Sequence, residues 1–328
     1  MIITKTPFRV SFCGGGSDLP SFYENYGGCV LSTSINKYCY ISIHPYFNEN
    51  QTLLKYSENE LVDDIKDIKH KIFKQVLTDL NVSGVEIVSS ADIPGGTGLG
   101  SSSTFTVGLL NTLYSYKGKY VSKNKLAKLA CEIEIEKLGS PIGKQDQYGA
   151  ALGGLNFIAF NKDGSVSSQP VLMNGKTYSN LQKNLIMFYT GKTRSANDIL
   201  KEQSKNATEA DKIKNLLRMC DLAKDMKSSL EENDISSFGK ILDEGWRLKK
   251  ELASGIANPM IDECYELAIK SGALGGKLLG AGGAGFMLFY CEEDKQDKLR
   301  ENIKLKEIDF KFENDGTSVI YIGDKYWD

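Results

Sequence analysis

The sequence predicts an α+β fold in two parts, and three observations point to it. Residues 1–50 alternate apolar and polar side chains with the period of two that strands require. Residues from Ala196 to about Ala253 keep helical spacing almost throughout. From Asn258 onward, helical stretches mix with short apolar strands. A strand-rich first half with crossing helices, then a helical group and a small α+β unit, places a boundary near residue 180. The expected domains are 1–180 and 181–328, with no internal repeat or low-complexity segment.

Each element follows from local pattern. Phe8-Arg9-Val10-Ser11-Phe12 alternates, and the glycines at 14–16 turn the chain. Leu19 to Tyr26 reads as a short helix ended by Gly27-Gly28. Cys29 to His44 alternates as one bent strand or two, and Ile65 to Leu80 is helical in period. Val85 to Ser90 is a strand, then come a glycine loop and a helix, Thr104 to Tyr116. Ser122 is a good N-cap for a helix reaching Leu138, which Gly139-Ser140-Pro141 stops. Gly153 to Phe160 and Leu185 to Thr190 read as strands. The helical region from Ala196 breaks near Asn233, and Asn258 to Lys270 is another helix. Phe286 to Cys291 is a strand, Glu292 to Lys304 a helix, and Ile308 to Phe312 and Val319 to Ile322 are strands.

Composition narrows the chemistry. The 328 residues are 41% hydrophobic and 25% charged, ordinary for a soluble globular protein. A net charge of −2 leaves no surplus of Lys and Arg for a nucleic-acid partner. The seven cysteines are scattered, odd in number and lack a Cys-x-x-Cys pair, so reduced thiols in a cytoplasmic protein are expected. Pro7 and Arg9 stand where a signal peptide would need its apolar region. The longest apolar run, near Ala284 to Cys291, is too short to span a bilayer, so no membrane partner is expected. Histidine occurs only at His44 and His70, which leaves acid–base work to carboxylates.

Four stretches carry chemistry. Pro94-Gly95-Gly96-Thr97-Gly98-Leu99-Gly100-Ser101-Ser102-Ser103 sits between a strand and a helix. Glycines let backbone N–H groups approach a ligand, and the following helix start offers further N–H groups and its positive dipole end. The alternative is a plain glycine-rich turn, and the Walker lysine is missing. Asp146, between Gln145 and Gln147, could act as base on a hydroxyl or simply cap the next element. Glu134 shares a helix face with Ala127, Ala130, Cys131 and Leu138, so it faces inward and needs a metal ion or a basic partner. Gly280, Gly282 and Gly285 spell G-x-G-x-x-G, but a strand follows instead of a helix, which argues against a dinucleotide site. That loop could close over phosphates or pack beside the first. Lys37 keeps step with Leu31, Ile35, Ile41 and Ile43 and suggests a bound anion if no kink intervenes at Asn36.

In this order the stretches resemble the GHMP kinase superfamily (galactokinase, homoserine kinase, mevalonate kinase, phosphomevalonate kinase). Pro7 to Pro20 is similar to its N-terminal substrate motif, Pro94 to Ser103 to its ATP loop, and Lys277 to Phe286 to its C-terminal glycine motif. The resemblance implies an N-terminal ribosomal-protein-like domain with left-handed βαβ features and a C-terminal ferredoxin-like domain, with ATP and substrate between them. It further implies that Ser102 and Glu134 hold Mg²⁺, that Asp146 is the catalytic aspartate, and that Arg9 offsets charge at the transferring phosphate. Gly15, Gly16, Ser17, Asp18, Gln145, Gly282 and Gly283 would surround the acceptor.

Where galactokinases carry Gly-Glu-His-Thr-Asp, this chain has Gly14-Gly15-Gly16-Ser17-Asp18. Losing that glutamate frees volume and removes negative charge at the sugar's C6 end, which suits a longer, phosphorylated sugar. Pro7 to Pro20, Ser34 to Tyr38, Ile142 to Gln147 and Thr190 to Ala196 are similar to the branch acting on heptose 7-phosphates. The expected reaction is therefore Mg-ATP-dependent phosphorylation of the anomeric C1 hydroxyl of D-glycero-D-manno-heptose 7-phosphate. The 1,7-bisphosphate formed would serve nucleotide-activated heptose synthesis, and Lys37, Lys192 and Arg194 are candidates for the sugar's own phosphate. A fucokinase branch shares part of the wording, so a kinase of an unphosphorylated sugar such as fucose or galactose is the alternative. A non-catalytic sensor on the same fold is a third reading, against which Arg9, Glu134 and Asp146 stand together. Oligomeric state is left open.

Overall fold

The computed structural model describes residues 1–191, 197–207 and 209–323. Its elements in chain order are β1 (Ile2–Cys13), α1 (Pro20–Tyr26), β2 (Gly28–Pro45), β3 (Thr52–Lys55), β4 (Asn59–Val62), α2 (Lys71–Leu80), β5 (Val85–Ala91), α3 (Ser101–Tyr116), α4 (Lys123–Cys131), α5 (Gln145–Leu152), β6 (Leu155–Phe160) and β7 (Val166–Pro170). There follow α6 (Gly175–Lys183), β8 (Leu185–Tyr189), α7 (Asn197–Asn206), α8 (Ala210–Glu231), α9 (Phe238–Lys250), α10 (Pro259–Lys270), β9 (Gly275–Leu278), β10 (Phe286–Tyr290), α11 (Gln296–Asn302), β11 (Lys306–Glu307) and β12 (Ser318–Ile322).

Two sheets result. The larger has eight strands in the order β12-β1-β2-β5-β3-β4, with β6 on the other half of β2 and β7 beyond it. The smaller is antiparallel, in the order β11-β8-β10-β9. The chain does not divide between them at a single point. β8 to β11 build the small sheet, but β12 returns to pair with β1 of the large one. The expected segment 181–328 therefore loses its last strand to the first sheet.

The long strands β1 and β2 change faces midway. Their register shifts between Pro7/Phe8, where Pro7 lies opposite Tyr38 and Phe8 opposite Ile35. Asn36 and Lys37 are the extra residues, a bulge that bends the strand. Before it, Cys29, Leu31 and Ile35 join Phe8, Val10 and Phe12 in a core shared with α8, α9 and the small sheet. After it, Cys39, Ile41 and Ile43 join Ile2 in a core under α2, α3 and α4. The odd-numbered residues of β2 thus switch sides. Lys37 lies in the switch, so the unbroken alternation expected to aim it with Ile35 and Ile41 does not hold.

Other boundaries moved for local reasons. The stretch 65–80 splits into a short 3₁₀ turn, Ile65–Asp67, and α2, whose N-cap is the His70 side chain. Ser122 caps α4, accepting a hydrogen bond from the Lys125 amide, as its position implied. Strand pairing near 308–312 is limited to one bridge, Ile35 to Phe312, with β11 formed earlier at Lys306–Glu307. Strands β3, β4 and β7 and helix α6 had no distinct sequence signal, being short or half exposed.

Candidate active site

A cleft of about 350 Å³ lies where β1, the start of α3, the 140–146 loop, the end of α9 and the 280–284 loop converge. Arg9 projects from β1 on the side opposite Phe8 and Val10 and is only 3% exposed. Its Nε and Nη2 donate to Asp146 Oδ1 and Oδ2 at 2.8 and 2.7 Å, and its Nη1 donates to the Gly98 carbonyl at 2.7 Å. The pair is bidentate, the geometry that suits a planar guanidinium to a carboxylate. Asp146 stands in the first turn of α5 and remains 24% exposed to the cleft.

The first glycine loop feeds directly into α3. The Thr104 amide bonds to the Gly100 carbonyl, so the amides of Ser101, Ser102 and Ser103 precede the first intrahelical bond. Gly96, Gly98, Gly100 and the three serines line the cleft. The other loop members support it from behind: Thr97 Oγ1 donates to the Pro94 carbonyl at 3.0 Å, and buried Leu99 accepts from the Arg9 amide at 3.2 Å. Gly95 does not line the cleft. The second glycine loop interlocks with the first. A Cβ on Gly280 would lie 2.3 Å from Gly98 Cα, and one on Gly98, which has φ +85°, would lie 2.3 Å from the Leu279 carbonyl oxygen. Backbone-to-backbone contact this close requires glycine on both sides.

Glu134 is 1% exposed. The α4 helix continues there as a wide π-type turn, Glu132–Lys137, with Leu138 N–H bonded to the Ile133 carbonyl at 3.0 Å. Ser102 Oγ donates to Glu134 Oε1 at 2.6 Å, and Gln147 Nε2 donates to Oε2 at 2.8 Å. Burial pushes the Glu134 carboxyl upward from its ordinary value, against the hydrogen bonds from Ser102, Ser103 and Gln147. A hydroxyl and a carboxylate side by side at the mouth of a phosphate loop are hard oxygen ligands of the kind Mg²⁺ takes. No group of three or more His, Cys, Asp or Glu that could hold a metal exists among the described residues. Such a donor set suits Mg²⁺, which binds through one or two side chains, substrate phosphates and water.

The acceptor side is built around Asp18. Its Oδ1 accepts from the Gly16 amide at 2.9 Å and its Oδ2 from the Gln145 amide at 3.3 Å. Burial, then the charge of Asp146, raises the Asp18 carboxyl. A Cβ on Gly143 would lie 1.9 Å from Asp18 Oδ2, so the glycine makes room for the carboxylate. Gly15, Gly16, Asp18, Gln145 and Gly282 line the cleft. Ser17 instead ties β2, its hydroxyl bonded to both Cys29 N and Cys29 O at 3.0 Å. Gly283 turns away, its amide bonded to the Ile256 carbonyl at 2.9 Å. Lys37 is not among the cleft residues, a correction that follows from the bulge in β2. Lys192 and Arg194 lie outside the described residues.

Two cleft residues and one buried behind them had not been singled out. Gln147 positions Glu134, and Gln203 on α7 lines the acceptor end. Lys249, in the last turn of α9, is 6% exposed. Its signal was present: Leu242, Gly245 and Trp246 precede it at seven, four and three residues, an apolar stripe that includes a lysine.

Amides arrayed for a phosphate chain, with a carboxylate immobilised by Arg9 against the same loop, mark a phosphotransferase acting on an alcohol. Comparison with known proteins agrees. Family models of the GHMP kinases N terminal domain and of the GHMP kinases C terminal region match residues 66–154 and 226–307. The chain belongs to the GHMP kinases, which take ATP as phosphoryl donor. It is 31% identical to D-glycero-alpha-D-manno-heptose 7-phosphate kinase of Campylobacter jejuni, over 96% of this chain and 97% of that one. It is 28% identical to a bifunctional fucokinase/GDP-fucose pyrophosphorylase of Arabidopsis thaliana, over 92% of this chain but 31% of the plant protein. The fold superposes on a D-glycero-D-manno-heptose 1-phosphate kinase from Bacteroides thetaiotaomicron with a TM-score of 0.81 and 25% identity, covering 99% of this chain and all of the other.

Proposed function

We propose that this protein transfers the γ-phosphoryl group of ATP to the anomeric C1 hydroxyl of D-glycero-D-manno-heptose 7-phosphate, giving the 1,7-bisphosphate and ADP. The bidentate Arg9–Asp146 pair facing the Ser101–Ser103 amides is the observation that carries it. A carboxylate fixed against the loop, with a Cβ on Gly100 only 3.2 Å from Asp146 Oδ2, supports a proton acceptor close beside the groups suited to the γ-phosphate. The two heptose kinases named above differ in which phosphate position their names give, and both act on heptose phosphates.

The residues divide the reaction between them. Asp18, Gln145 and the glycines at 15 and 16 seat the sugar; their compactness leaves room for a substrate extended beyond C6. Asp146 accepts a hydrogen bond from the C1 hydroxyl and takes its proton as the new O–P bond forms and the bond to the β-phosphate oxygen breaks. Arg9 keeps that carboxylate aimed, and with the loop amides it offsets charge on the transferring group. Ser102 and Glu134 would hold Mg²⁺, which supplies neutralisation of the β- and γ-phosphate oxygens. Phosphoryl transfer is mostly positioning and electrostatics, so no further covalent partner is needed.

The test is a coupled ADP-release assay on the purified protein with heptose 7-phosphate, fucose, galactose and mevalonate as acceptors. Turnover with heptose 7-phosphate at a kcat/KM far above the others supports the proposal. Turnover of fucose or galactose without heptose 7-phosphate overturns the acceptor, and no ATP turnover with any sugar would favour a sensor.

A further inference from the structure

Two buried cations, Arg9 and Lys249, line the cleft together with the carboxylates of Asp18, Glu134 and Asp146, and a third, Lys277, lies near Lys249 outside the lining. Arg9, Lys249 and Lys277 are 3%, 6% and 3% exposed. Lys277 Nζ donates to the Phe12 carbonyl at 2.9 Å, and Lys249 Nζ donates to the carbonyl of Gly280, the glycine that touches Gly98. Asp146 pairs with Arg9 through both oxygens, and both Asp18 oxygens accept backbone amides. Among the described residues no carboxylate forms an ion pair with Lys249. A buried ammonium whose protein partner is one carbonyl still has donors to spend, and an unpaired buried charge is costly unless a ligand supplies its counterion.

Its position says which anion. Lys249 lines the cleft from the C-terminal part of the chain, at the point where the second glycine loop presses on the first and where Arg9 reaches Gly98. We propose that Lys249 is a catalytic residue that contacts the transferring γ-phosphoryl group, a cation brought by α9 to complement Arg9 on β1. The proposal rests on the kinase reading above but not on the identity of the acceptor. The groups around Lys249 are Arg9 and Cys13 on β1, Asp18 in the following loop, Asp146 on α5 and Lys277 on β9. Burial and then the Arg9 charge pull its ammonium down to about 8, with Asp18 and Asp146 opposing. A bound γ-phosphate would restore the charged form, so nucleotide triphosphate binding should weaken as pH rises past that value.

The test needs no acceptor. Affinities of AMP-PNP and ADP, each with Mg²⁺, are measured by calorimetry for the wild type, Lys249→Met and Lys249→Arg between pH 6.5 and 9. Lys249→Met should bind AMP-PNP at least 10-fold more weakly while ADP changes less than two-fold. The wild-type preference for AMP-PNP over ADP should fall above about pH 8, and Lys249→Arg should keep it. Equal changes for both nucleotides, or none for either, overturns the proposal. So does an unchanged AMP-PNP preference combined with a raised KM for a phosphorylated acceptor, which would assign Lys249 to the acceptor's phosphate. A failed acceptor panel leaves these nucleotide measurements intact, so the two readings fail separately.

Discussion

Asp146 is positioned from two sides. Arg9 grips both carboxylate oxygens, and the start of α5 fixes the backbone that bears it. Removing the charge while keeping the shape isolates its chemistry. Asp146→Asn should lower kcat by about 10²–10⁴, the range for a lost general base, with KM for ATP changed only a few-fold, as measured by ADP release at saturating sugar. Glu134 makes the opposite kind of prediction. Its folded carboxyl is raised above the ordinary value by burial. The stability it contributes is therefore present below the unfolded pKa and is lost as pH rises through the folded one. Without Mg²⁺, burial opposes the charged form of this carboxyl in the wild type. Glu134→Gln should consequently melt at or above the wild-type temperature at pH 7–8 in metal-free buffer, and should lose the further rise that Mg-ADP gives the wild type. A lower melting temperature for the variant in metal-free buffer would show that the carboxylate is needed for folding instead of for the metal.

Among the elements, the two glycine loops matter most, because each sets the other's shape. Gly98 has φ +85°, and an added Cβ would strike the Leu279 carbonyl at 2.3 Å. Gly98→Ala should therefore cost about 1–3 kcal/mol of backbone strain and should separate the loops. Thermal melting should show a loss of several degrees, and KM for ATP should rise at least 10-fold. An unchanged KM would mean that the contact is structural only. The formal G-x-G-x-x-G string at 280–285 is thus explained without a dinucleotide: its glycines serve close packing on Thr97, Gly98 and Ile256. The π-type turn at Glu132–Lys137 is a second element-scale device, since it carries Glu134 at the point where the helix widens.

For the whole molecule, what could be read in the sequence was whatever depends on local pattern. The Ser122 cap, the strand–loop–helix around residues 94–103 and the inward face of Glu134 needed only spacing. What could not be read depends on pairing between distant segments. The β2 bulge that removed Lys37 from the site arises from register with β1, and β12 joins the first sheet by pairing across the length of the chain. Lys249 joins Arg9 and Asp146 only because the second sheet packs its helices against β1 and β2. The helical spacing carried an unused signal for its burial, and no signal for what it packs against. The reaction proposed above requires that the hydroxyl meeting Asp146 be the anomeric hydroxyl of a heptose phosphate. Phosphorus NMR of the product formed from ATP and D-glycero-D-manno-heptose 7-phosphate tests it most directly. The account predicts a second phosphate resonance coupled to the anomeric H1, with the 7-phosphate retained. A product phosphorylated at another carbon, or no product from this sugar while fucose is converted, would contradict it.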